Sequence, residues 1–231
     1  VQTCALPIYM KKATHYASID MTNQSGLIKA RNVIATIKGK TMPKEKVIVG
    51  GHLDSWDLAT GAIDNGIGSF AVIDMARTYM ALKLQPERTV EFVLFMGEEE
   101  GLLGSRAYVD QAMKNNTLDQ VRYMLNYDMT NDPKGFSTTI AESKDLFVGI
   151  GAIAQTFDTS YKNLFNNGAG LHSDHQPFML QGIPTGGGAG GRLPNNAGPC
   201  YHADCDDFKL VDEKGLKNTV RNGAMLLYGD R

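Results

Sequence analysis

Three short runs constrain this chain more than anything else in it. Residues 46–50 (KVIVG), 89–96 (TVEFVLFM) and 121–127 (VRYMLNY) are β-branched, aliphatic or aromatic at most positions, and each gives way to polar residues. A strand with one wet face alternates apolar and polar residues, whereas a near-continuous apolar run marks a strand covered on both faces, as in parallel sheets packed between helices. Helical spacing fills the intervals. In residues 68–82, Phe70, Ile73, Met75, Ala76, Tyr79 and Met80 make a broad apolar face. Further helices are expected near 104–114, 144–157, 174–180 and 212–228, and further strands at 32–38, 138–141 and 183–185. The reading is an α/β fold with a mixed, mostly parallel central sheet and helices on both faces. The stretch 163–200 contains GGGAGG and PNNAGP and reads as an elaborated loop around one short helix and one short strand.

At 231 residues, 42% hydrophobic, the chain suits one large α/β domain, and no repeat or linker divides it. A net charge of -2 gives no electrostatic case for nucleic acid or an anionic membrane as main partner. No apolar run reaches the roughly 18 residues of a membrane span. Residues 1–8, VQTCALPI, read as an in-frame translation of a DNA-sequencing library adapter. They are therefore set aside with Cys4 as an assembly scar, leaving 9–231 as one N-terminally truncated domain, with 10–26 as a remnant of what preceded it. Cys200 and Cys205, in CYHADC, have the spacing of a loop disulfide in an oxidising compartment, and equally of two free thiols.

The chemistry collects where the strands end. VIVGGHLDS supplies His52 and Asp54, FVLFMGEEE supplies Glu98 and Glu99, and YMLNYDM supplies Asp128. In an open α/β sheet the ligand crevice lies beyond the carboxyl ends of the strands, so these groups should converge there. Taken singly, each has a plainer reading: a carboxylate-bonded histidine, a helix cap for Asp64 in GAIDNGIG, a strand-end turn for Asp128, a solvated helix start for Glu98–Glu100. Together, adjacent carboxylates in a water-poor crevice call for cations, and Glu, Asp and neutral His suit zinc or a similar first-row ion. Asp54 is placed to accept the other N–H of the His52 ring. Of the remaining histidines, His202 has the better context for a second site, with Asp206 as an orienting acid. His172 and His175, in LHSDHQPF, suit capping or a pocket wall, and His15 has no role.

The ordered set GGHLDSWD, GAIDNGIG, GEEEGLLGS, NYDM, HSDHQPF and CYHADCD resembles the co-catalytic dizinc exopeptidases: leucine-type aminopeptidases, carboxypeptidase Q and relatives of the prostate-specific membrane antigen. The resemblance spans about residues 46–206 and implies a three-layer α/β/α sandwich. It also implies two Zn2+ per chain, with Asp64 bridging, His52 and Asp128 completing one site, and Glu99 and His202 the other. Glu98 would be the general base and Tyr201 an aid to the oxyanion; Asp54 and Asp206 would support the ligands, with Ser173, Asp174 and His175 at the pocket margin. Glu100 receives no role. The implied partners are peptides or dipeptides. Most relatives are secreted, periplasmic or cell-surface proteins, which agrees with a Cys200–Cys205 disulfide. An aminopeptidase leads the expectation, with a dipeptidase or glutamate-type carboxypeptidase as alternative. A glutaminyl cyclase and an inactive receptor-like relative rank lower, since both depart from the full ligand set.

Overall fold

The computed structural model describes residues 18, 20, 22, 26–168 and 170–229. The adapter-like residues 1–8, Cys4 and His15 lie outside them. Two compact units are distinguished, Val1–Ala30 and Arg31–Arg231. The described residues of the first contain no helix or strand. The second holds seven strands, β1 (Val33–Ile37), β2 (Met42–His52), β3 (Arg88–Phe95), β4 (Val121–Asn126), β5 (Gly135–Thr138), β6 (Leu164–Asn167) and β7 (Thr185–Ala189). Its α-helices are α1 (Ile67–Ala81), α2 (Leu103–Lys114), α3 (Lys144–Phe157), α4 (His175–Met179) and α5 (Glu213–Gly229).

The strands form one sheet in the order β1-β3-β2-β4-β7-β5-β6. β3, β2, β4 and β7 run parallel at its centre, while β1 pairs antiparallel with β3 and β5 antiparallel with β7. The two-residue period of the strands divides the core. Val47 and Val49, with Val90 and Phe92, face Met75 and Tyr79 of α1, Phe147 of α3 and Leu227 of α5. Ile48, Val93 and Phe95 face the other way, onto Val109 of α2 and Phe178 of α4. Both sheet faces are thus dry, which is why these runs are apolar at nearly every position. Phe95 is fully buried, and truncating it to alanine would cost about 3–5 kcal/mol.

Two expectations are corrected. In α1 the inward stripe is Ala71, Val72, Met75 and Tyr79, whereas Phe70, Ile73 and Met80 are exposed. The helix meets the sheet and α5 along a narrower face than its hydrophobic content suggested. The glycine-rich stretch also holds more regular structure than expected, since 185–189 (TGGGA) is strand β7 and 164–167 is β6. Glycine is needed in β7 because a Cβ on Gly186 would sit 2.4 Å from the Ser137 carbonyl oxygen, so the strand packs where no side chain fits.

Candidate metal centre

The sheet brings three strand ends side by side. β2 finishes on His52, which is aligned with Phe95 at the end of neighbouring β3. Glu98 and Glu99 follow after a turn at Gly97. On the other side of β2, the Tyr127 amide extends β4 by donating to the Gly50 carbonyl at 2.8 Å, and Asp128 comes next. Asp64 enters from the turn Ala62–Gly66 ahead of α1, and His202 from the loop beyond β7. The start of α1 can press against the β4 end because Gly68 has no side chain; a Cβ there would meet the Tyr127 carbonyl oxygen at 2.1 Å.

Asp64 is the hub of the cluster. Its Oδ1 lies 3.1 Å from His52 Nε2 and its Oδ2 lies 3.3 Å from His202 Nε2. His52 Nε2 is also 3.5 Å from Asp128 Oδ1, and His202 Nε2 is 3.1 Å from Glu99 Oε2. Donor atoms of His52, Asp64 and Glu99 lie within 4.8 Å of one another. Asp128 Oδ1 and Glu99 Oε1 are buried and have no hydrogen-bond partner. A carboxylate oxygen left so in a dry crevice is costly unless a cation meets it, so the residues present fit a metal.

The electrostatics agree. Burial raises Glu98 to about 8 and Glu99 to about 7, and neighbouring carboxylates push both the same way. Burial opposes a charge on His52, yet the carboxylates of Asp128 and Asp64 beside it raise it to about 11. Burial likewise works against ionised Asp128, but nearby His52 and the Ser173 hydroxyl together outweigh it and hold that carboxyl below its ordinary value. The metal-free cluster answers its excess negative charge with protons.

Two of the supporting acids act differently from expectation. His52 Nδ1 meets the main-chain carbonyl of Asp54 at 3.0 Å, whereas the Asp54 carboxylate is 3.9 Å away. That carboxylate instead accepts from the amides of Gly97 (2.8 Å), Glu98 (3.2 Å) and Glu99 (3.1 Å), fixing the glutamate turn. Asp206 likewise accepts from the Ile63 amide at 2.8 Å and the Asp64 amide at 3.0 Å. Both are bound to main chain because these turns carry amides that no helix or strand satisfies. Asn65, missed as a site residue, spans the Asp128 loop: its Nδ2 donates to the Tyr127 carbonyl at 2.8 Å and its Oδ1 accepts from the Met129 amide at 2.9 Å. The DNG sequence suggested only cap chemistry.

The sequence model of peptidase family M28 matches residues 32–227. The chain belongs to this family. Carboxypeptidase Q of Mus musculus is 42% identical over 202 residues, covering 85% of this chain and 41% of its own length. Leupeptin-inactivating enzyme 1 of Streptomyces exfoliatus is 31% identical over 219 residues, covering 85% of this chain and 47% of its own. This chain therefore spans less than half the length of these curated relatives. Among solved structures, BSAP, a zinc aminopeptidase from Bacillus subtilis, superposes with a TM-score of 0.68 at 25% identity, over 85% of this chain and 49% of that one.

The remaining residues of this M28 domain take up more varied positions. Ser173 reaches further in than a pocket margin, donating to Asp128 Oδ2 at 2.7 Å while receiving Asn126 Nδ2 at 2.7 Å. Asp174 is likewise fully buried, and burial, outweighing a favourable Ser105 hydroxyl, raises it to about 7. His175 Nε2 lies 2.7 Å from the Gly170 carbonyl. With Asn126, Asp128 and the β7 glycines, His175 lines a cavity of about 160 Å³ beside the cluster. A larger apolar groove of about 450 Å³, lined by Ile67, Phe70 and Phe208, contains none of the cluster residues. Cys200 and Cys205 are joined in a disulfide around Tyr201 and His202. Glu100 is exposed. Trp56, also missed, stacks on His202 with ring centroids 4.3 Å apart and planes 4° from parallel. Tyr201 stacks on the same ring at 3.7 Å and 21°.

Proposed function

We propose that this domain is the catalytic part of a zinc-dependent exopeptidase, foremost an aminopeptidase, that carries two zinc ions. The observation that carries the reading is Asp64, whose two carboxylate oxygens each approach a different histidine, His52 and His202. His52, Asp64 and Asp128 would hold one ion, and Asp64, Glu99 and His202 the other. When bound, zinc supplies Lewis acidity, polarising a carbonyl and acidifying water. Glu98, a half-buried carboxyl beside the five ligands and free of their roles, takes a proton from the attacking water and hands it to the departing amine. The Tyr201 phenol is held above its ordinary value by burial and then by Asp64 and Glu99, so it stays a hydrogen-bond donor for the developing oxyanion. Asp54 and Asp206 keep the glutamate turn and Asp64 in place through their amides.

A dipeptidase or carboxypeptidase of the carboxypeptidase Q kind is the second reading, favoured by the 42% identity to that protein. The disulfide supports a secreted or cell-surface setting. Purified, zinc-loaded protein assayed on aminoacyl-nitroanilides, unblocked dipeptides and N-acylated acidic dipeptides separates these activities. Amine release from the first group is expected. Cleavage confined to dipeptides would move the assignment to the second reading, and no cleavage of any group would overturn both.

A further inference from the structure

Two aromatic rings lie close to His202 and nearly parallel to it, Tyr201 at 3.7 Å and Trp56 at 4.3 Å. Two rings that near and that parallel cannot lie side by side on one face of an imidazole. His202 is therefore sandwiched between them. Tyr201 is its chain neighbour, but Trp56 comes from the loop after β2, the strand that ends in His52, and has no place among the ligands or the proton-transfer groups described above. His202 needs such support: it sits on a loop at φ +54°, its side chain is 27% exposed, and no strand end fixes it. His52, by contrast, is 1% exposed and closes a central strand.

We propose that Trp56 is a positioning residue that fixes the plane of the His202 ring and thereby tightens zinc binding in the Glu99–His202 half of the centre, which fills after the more deeply buried His52–Asp128 half. The inference rests on the two-zinc reading above. A stacked indole restricts the ring to rotation in its own plane and leaves Nε2 directed toward Glu99 and Asp64, 3.1 and 3.3 Å away. A side chain that orients a ligand without touching the ion tunes affinity by about 10- to 100-fold. Trp56 is also the sole tryptophan of the chain, so indole fluorescence comes from this position alone. Filling the adjacent half changes the charge next to the indole and must alter its emission.

The test is a titration of chelator-stripped full chain with Zn2+, followed by calorimetry and by indole emission, on wild type, Trp56→Ala, Trp56→Phe and His202→Ala. Expected are two binding steps in wild type, with the larger emission change on the second. In Trp56→Ala the second step weakens about tenfold while the first is unmoved. Trp56→Phe, which keeps a flat ring, restores the second step. His202→Ala removes both the second step and the emission change that accompanies it. Equal second-step affinity in Trp56→Ala and wild type overturns the proposal and leaves the two-zinc reading standing. A larger emission change on the first equivalent than on the second also overturns it, and that arm needs no variant to fold. Absence of zinc binding by wild type overturns both readings together.

Discussion

His52 and His202 approach the same carboxylate, Asp64, yet the protein holds them by different means. His52 is the last residue of a central strand, buried under the sheet's own packing, with its Nδ1 against a carbonyl two residues on and its own carbonyl bonded by Ser69. His202 belongs to a loop closed by a disulfide and is gripped through the faces of its ring. One half of the centre inherits its order from the fold. The other half is ordered by local devices that can be removed one at a time. Damage to the sheet half should therefore cost stability, whereas damage to the loop half should cost metal or turnover in an intact fold.

The largest expected effect falls on Glu98 and Glu99, which share one turn but have different duties in the proposed mechanism. Glu98→Gln should keep both zinc ions and lower turnover about 100- to 10,000-fold, whereas Glu99→Ala should lose the ion of the loop half. Metal analysis beside kcat checks this; equal metal loss in both would erase the division of roles. Next comes the disulfide. Cys205→Ser opens a short loop, and a loss of about 2 kcal/mol of stability is expected by calorimetry, with zinc affinity weakened at the second step only. Weakening of both steps would mean that the halves are not separately supported.

A smaller effect is set by pH. Glu98 and Glu99 are raised to about 8 and 7, and His52 to about 11, so the metal-free fold binds more protons than the unfolded chain across pH 5–8. Stability that these groups confer when protonated is present below their unfolded values and is lost as pH climbs through the folded ones. Metal-free Tm should fall from pH 5 to pH 8, and the increase in Tm on adding zinc should be greatest at pH 8. A zinc effect that is flat across this range would show that protons and metal do not compete for the cluster. The smallest effect is expected of Glu100→Gln, an exposed change that should leave kcat, zinc content and Tm within error of wild type.

Much of this centre was legible in the sequence because strand ends advertise themselves. An apolar run that stops abruptly at His or Glu gives both the position along the sheet and the chemistry delivered there, and so the meeting of His52, Glu99 and Asp128 could be read without coordinates. What stayed hidden were the partners of groups whose chemistry was plain. Asp54 and Asp206 read as acids for imidazole N–H groups, but the strongest unmet demand near them came from main-chain amides, which a sequence does not display. The extent of β7 beyond Thr185 was hidden because three consecutive glycines carry no side-chain period, although the strand exists by virtue of their smallness. Trp56 stands within GGHLDSWD, but a tryptophan four residues after a histidine gives no sign that it will lie on a different one.

Residues 200–206 combine two functions in one short stretch. The segment presents His202 to one oxygen of Asp64, and with the carboxylate of Asp206 it grips the amides of Ile63 and Asp64 itself. The loop thus carries its own ruler, measuring the gap between the two things it has to align. For anyone redesigning or grafting such a domain, this segment is a cassette: it can travel whole, together with the turn it clasps, but an insertion or deletion within it would put the ruler and the part it measures out of step.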